Sequence, residues 1–174
     1  SFNTFISLCF RGNGMARHEK LMRMCLGLAK QAGALGEVPV GALIVRQGDE
    51  KILGRGFNRT ECSQSVTKHA EIIAIESASM EVGSWRLNSE GPVTLYTTVE
   101  PCIMCLGASL LSRVDTIVYG ASNEKFGGEK HIFHKNNDHL NTLNHRVEIV
   151  PGVLQYDCAQ LLKDFFRERR LSQT

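Results

Sequence analysis

Charge of one sign is scarcely in excess: 20 Lys and Arg stand against 18 Asp and Glu, a formal net charge of +2. That balance does not supply the global basic field that draws a whole protein onto nucleic acid, so any basic footprint must be local. No apolar run approaches the roughly 20 residues that a membrane-spanning helix needs. The six cysteines follow no regular framework, which disfavours a disulfide scaffold and points to a reducing compartment, the cytoplasm or an organelle. Repeats and low-complexity tracts are also missing. The stretch Phe5 to Phe10 lacks a basic leader and an A-x-A-like cleavage site, which argues against a secretory signal. Residues 1–14 precede Met15 and are expected to be an N-terminal extension or a cloning remnant.

What is present fits one domain over residues 15–174. A chain of 174 residues with 43% apolar composition can bury about 70% of the surface its unfolded form exposes. Leu21, Cys25, Leu28, Ala32 and Leu35 recur at helical spacing over 17–35, ending at Gly33 and Gly36. Residues 40–45 and 52–57 read as a hairpin across Gly48 and Asp49, and a loop over 59–68 leads to a helix over 70–82. That helix is apolar nearly all round and expected to be buried. A strand over 93–98 delivers Glu100 and Pro101 to a helix over 103–112, followed by a strand over 116–119. Residues 121–146, with His131, His134, His139 and His145, read as an active-site loop, whose scattered histidines are more often solvated than metal-bound. A last strand over 147–150 and a closing helix over 157–170, burying Leu161, Leu162, Phe165 and Phe166, complete an α/β layered fold.

Chemistry is concentrated in His69-Ala70-Glu71 and Pro101-Cys102-Ile103-Met104-Cys105. Three protein ligands plus one open position for water make a catalytic zinc site, and His69, Cys102 and Cys105 supply three. Cys102 and Cys105, just after Pro101, share one face of a first helical turn. His69 at a helix cap and Glu71 in its first turn can both reach an ion beyond the helix end, because side chains lean toward the N-terminus. Two helix N-termini aimed at one ion favour both thiolates. The metal lowers the pKa of its water, and Glu71 remains free to move protons. A Cys-x-x-Cys alone is also a redox pair or half of a structural zinc site, but Cys62 and Cys158 lack paired spacing. Together, H-x-E followed by P-C-x-x-C is the pattern of zinc deaminases.

With these residues in place, the chain resembles the bacterial-type tRNA adenosine deaminases of the cytidine deaminase-like superfamily. The likeness runs from His18 to Arg170. It includes Glu37-Val38-Pro39-Val40-Gly41, both zinc motifs, Ser112-Arg113-Val114, Tyr119-Gly120-Ala121, the string Asn144 to Ile149, and Phe165-Phe166-Arg167. The resemblance implies a three-layer α-β-α fold with a mixed five-stranded sheet, one Zn2+ per subunit and a homodimer. The implied reaction is hydrolytic deamination of the wobble adenosine of a tRNA anticodon loop to inosine. By matching position, His69, Cys102 and Cys105 bind zinc, Glu71 shuttles protons, and Val40, Asn58, Ala70 and Asn123 contact substrate.

Two departures stand out. Asn123 replaces the aspartate of many relatives, which leaves a contact to the ribose hydroxyl open. Asn123 to Gly128 replaces a run of small residues and resembles the catalytic subunit of eukaryotic heterodimeric tRNA deaminases, so a heterodimer is the other partner expectation. Lys163, Arg167 and Arg170 share one face of the closing helix, and the resemblance places them as tRNA phosphate contacts; composition alone reads them as a solvated face. Two further readings stay open: a deaminase of free nucleobases or nucleosides, and a nucleic-acid-binding subunit with structural zinc. Retention of Glu71 argues against the last.

Overall fold

The computed structural model describes residues 2–128 and 145–172, with side chains from Gly14 onward. Five strands form one sheet in the order β2-β1-β3-β4-β5: β1 is Gly41–Arg46, β2 Ile52–Phe57, β3 Val93–Val99, β4 Thr116–Ala121 and β5 Glu148–Val150. The hairpin β1-β2 and the pair β1-β3 are antiparallel, whereas β3-β4 and β4-β5 are parallel. The sheet is mixed and five-stranded, as the sequence led us to expect.

Helices cover both faces. Helix α1 (Phe2–Ala34) and the closing helix α5 (Gln155–Leu171) lie on one side, packing Leu21, Met22 and Cys25 with Leu43, Val45, Tyr96 and Val118. Helices α3 (Ala70–Val82) and α4 (Ile103–Leu111) cover the other, where Ala70, Ala74, Ala78 and Leu106 meet Ala42, Ile44, Leu95 and Ile117. β1 and β3 send apolar side chains to both faces, so they read as nearly continuous buried runs rather than alternating ones. Helix α3 lies directly on β2: a Cβ on Gly56 would collide with the Ala70 carbonyl and sit 2.7 Å from the Ala74 nitrogen. Only glycine lets the helix backbone come so close.

Several boundaries and burials differ from the sequence reading. Helix α1 begins at Phe2, and Leu35, expected on its buried face, is 59% exposed because the helix ends at Ala34. The loop 59–68 contains a short helix α2 (Thr60–Ser63). Helix α3 is buried on one stripe only: Met80 is 78% exposed, since a single sheet face can cover only one side. In α5 the stripe at Leu161, Leu162 and Phe165 is half-buried and Phe166 is exposed: Leu162 packs against the core and, with Phe166, also borders a cleft. His145 is a satisfied structural histidine, its Nε2 2.6 Å from the Val114 carbonyl oxygen. His131, His134 and His139 lie outside the described residues. Among the described residues, no helix is long and apolar enough to cross a membrane.

Candidate functional site

One end of the sheet gathers the start of β1 and the carboxyl ends of β2, β3 and β4, as the registers Gly41 with Phe57, Ala42 with Thr97 and Val99 with Ala121 require. Ligand clefts of layered α/β folds form at such an end. Here α3 and α4 begin, with His69 and Cys102 as their N-caps in extended backbone. Neither side chain caps its own helix, so both are available to a ligand at the helix ends.

The three donors converge. His69 Nδ1 lies 3.7 Å from Cys102 Sγ and 3.5 Å from Cys105 Sγ, and all three ligand atoms fall within 4.8 Å of one another. A tetrahedral ion with metal–sulfur bonds of about 2.3 Å and metal–nitrogen bonds of about 2.0 Å holds N and S about 3.6 Å apart. Both nitrogen–sulfur spacings therefore match those of a bound metal ion. Among the described residues no other group of three His, Cys, Asp or Glu is so placed. The five described cysteines are all free of disulfides.

Electrostatics separate the two thiols. A hydrogen bond from Cys105, helped by the His69 imidazole, brings the Cys102 thiol down to about 4, while that shared proton and burial hold Cys105 far above its ordinary value. The imidazole of His69 is raised in turn, chiefly by its bond to Cys102. Glu71, 4% exposed, is pushed up to about 7 by burial, with the nearby His69 charge opposing. A carboxyl group buried beside the donor set is placed to take and give a proton.

Cys105 is buried, while His69, Glu71 and Cys102 open onto a cleft of about 590 Å³. Val40, Asn58 and Asn123 border it, whereas Ala70 is fully buried and gives its N–H to Asn58 Oδ1 at 2.8 Å. Asn123 receives its place from Glu100, whose carboxylate accepts the Asn123 N–H at 2.9 Å, and its own Oδ1 accepts the Phe126 N–H at 3.1 Å. Lys163, Arg167 and Arg170 are exposed on α5, the helix that lends Leu162 and Phe166 to the cleft wall. Arg167 pairs with Asp164 at 2.7 Å.

Two acids at the cleft, Glu37 and Glu100, carry roles that the sequence did not assign them. Glu37, 1% exposed, accepts the N–H groups of Cys62 at 2.8 Å and Glu61 at 3.1 Å, which fixes α2 as a wall of the cleft. Glu100, 4% exposed, joins the end of β3 to the turn after β4. The available signal was an acid beside an otherwise uncharged string, Glu37 before Val38-Pro39-Val40 and Glu100 after Thr97-Thr98-Val99.

Comparison with known proteins agrees with this arrangement. The profile of the MafB19-like deaminase family matches residues 16–170. A tRNA-specific adenosine deaminase of Haemophilus influenzae is 43% identical over 152 residues, 87% of this chain and 84% of that one. One of Bacillus subtilis is 41% identical over 156 residues, 90% of this chain and 92% of that one. A structure solved in a study of A-to-I editing by tRNA:A34 deaminases at the wobble position of transfer RNA superposes with a TM-score of 0.71 at 34% identity, covering 81% of this chain and 97% of that one.

Proposed function

This chain belongs to the MafB19-like deaminase family, among the tRNA-specific adenosine deaminases, and we propose that its cleft converts the wobble adenosine of a tRNA anticodon loop to inosine. The observation that carries the chemistry is the convergence of His69, Cys102 and Cys105 beside the buried Glu71.

We assign Zn2+, one per subunit, to those three donors, since one imidazole and two cysteine sulfurs, both deprotonated once the metal binds, with a fourth position left for water make a catalytic zinc set. Zinc held there supplies a water acidified toward neutral pH and a Lewis acid beside it. Glu71 takes a proton from the water as its oxygen bonds to C6 of the purine, and delivers a proton to the adjacent ring nitrogen. It then takes the remaining proton from the new C6 hydroxyl and delivers it to the amino group as the C6–N bond breaks, so that ammonia leaves and the oxygen remains as the inosine carbonyl. Asn58 and Val40 line the base pocket and Asn123 lies at its sugar side, while Lys163, Arg167 and Arg170 meet anticodon-stem phosphates. Ala70 serves the pocket through its bond with Asn58.

The partner is a second copy of this chain, in a cytoplasmic enzyme. Ile103 and Leu111, at the two ends of α4, are 51% and 72% exposed, and a paired surface would cover them. Light scattering on the purified protein tests this pairing, and a monomer that gains activity only with a different subunit would replace it by a heterodimer.

The reaction is tested with the zinc-loaded protein and a tRNA bearing wobble adenosine. Inosine at that position is the expected product. Efficient deamination of free guanine, cytosine or nucleosides with the tRNA left unchanged would transfer the assignment to a free-base deaminase.

A further inference from the structure

We infer that Phe126 is a stacking platform for the nucleobase beside the target base, so that this ring selects the single-stranded context admitted to the cleft. The inference deepens the RNA reading above and rests on it.

Phe126 is 67% exposed and borders the cleft. An exposed ring is ordinary on a surface; what sets this one apart is the rigidity of its support. The Glu100 carboxylate accepts the Asn123 N–H at 2.9 Å, Asn123 Oδ1 accepts the Phe126 N–H at 3.1 Å, and the Asn123 carbonyl accepts the Gly127 N–H at 2.9 Å. The next N–H, that of Gly128, bonds the Pro101 carbonyl at 2.8 Å, and Gly127 bridges Cys102. The turn is therefore tied to the segment that carries two of the metal donors. A Cβ on Gly127 would strike the Glu100 carboxylate, so the turn passes this point only as glycine.

Fixing an apolar ring at the mouth of a polar reaction site serves recognition. A base that enters a deaminase pocket must leave its neighbours, which lose their stacking in turn. An aromatic face restores that loss, about 5- to 150-fold in affinity per base, and it tolerates any base because every base has a π-face. Phe166, 44% exposed on α5, borders the same cleft, giving the mouth a second aromatic edge. Lys125, on the same turn as Phe126, also borders the cleft, in place for a backbone phosphate.

The test uses the zinc-loaded full chain, a tRNA bearing wobble adenosine, and the variants F126A, F126L, F126Y and F126W. If the ring stacks, F126A and F126L lose about tenfold or more in kcat/KM, mostly through KM, as a lost stacking contact of that size dictates. F126Y and F126W stay within about threefold, since both keep a flat π-face. Zinc content and thermal midpoint stay at the wild-type values in all four. A second readout needs no turnover. In the Glu71→Gln background, a stem-loop with 2-aminopurine next to the target adenosine is quenched on binding, and F126A removes the quenching. Wild-type KM in F126A would overturn the inference, and so would full activity in F126L, which would mean simple apolar contact. A shift of F126A from dimer to monomer would assign the ring to a protein interface and equally overturn it. If the wild-type protein leaves the tRNA unchanged, the proposed function fails; if the wild type is active and F126A matches it, only this inference fails.

Discussion

Asn58 Oδ1 accepts the backbone N–H of Ala70 at 2.8 Å, joining the residue after β2 to the first residue of α3. The bond is buried, with Asn58 8% exposed, and it satisfies one of the N–H groups that a helix start leaves without an intrahelical partner. It also fixes the helix end that bears His69 and Glu71. Replacing Asn58 by Ala should lower stability by about 1–3 kcal/mol, the cost of a buried donor left unsatisfied. Asp keeps the acceptor, so N58D should retain more stability than N58A. Thermal unfolding of both variants checks the ordering; equal midpoints for wild type and N58A would remove the anchoring role.

Glu37 carries a pH signature. Burial alone would raise its carboxyl group, but the N–H groups of Cys62 and Glu61 outweigh burial and hold it below the ordinary value of 4.5. The folded state thus prefers the carboxylate. Its contribution to stability is complete above that ordinary value and is lost as the pH falls through the lowered one. As the pH falls below the ordinary carboxylate value, the wild type should lose stability more steeply than E37Q, which cannot titrate. At neutral pH E37Q should be the less stable of the two, because an amide accepts these N–H groups more weakly. Denaturant midpoints across the acid range decide it, and parallel curves would contradict the assignment.

Gly56 tests the link between fold and site. A methyl group there must push α3 off β2, since it meets the Ala70 carbonyl and the Ala74 backbone. Overpacking of this kind costs about 1–3 kcal/mol or more. Because α3 carries His69 at its cap, G56A should lose metal affinity as well as stability. Metal titration followed by calorimetry reports both, and G56A with wild-type affinity and midpoint would show that the helix has room to shift.

The chain's periodicity made most elements legible. Residues 70–82 and 52–57 begin and end where spacing and the cap at Gly83 place them, because those signals are local. Long-range partners stayed hidden. Glu37 meets Cys62 25 positions away, and Asn123 meets Glu100 23 positions away, and no periodicity records such contacts. Burial in α5 was overestimated for a related reason: an apolar stripe at helical spacing looks the same whether it fills a core or walls a cleft. Phe166 does the second, and Leu162 does both.

Separating metal binding from proton transfer is the sharpest test of the site. His69, Cys102 and Cys105 present their donor atoms to one point, while Glu71 is buried beside them and is not needed to complete a three-donor set. Cys102→Ala removes a donor, so zinc content and deamination should fall together, and added zinc should restore little of either. Glu71→Gln keeps the shape and all three donors, so zinc content should match the wild type. Turnover should still drop by about 10²–10⁴, the range for loss of a positioned acid–base group. Atomic absorption on the two purified variants, alongside inosine formation on the tRNA, yields four values. Metal lost in E71Q would make Glu71 a structural support of the site, and turnover preserved in E71Q would remove it from proton transfer. Metal lost only in C102A with turnover lost in both is the pattern the geometry requires, because only there do the donor set and the proton carrier act as separate parts of one centre.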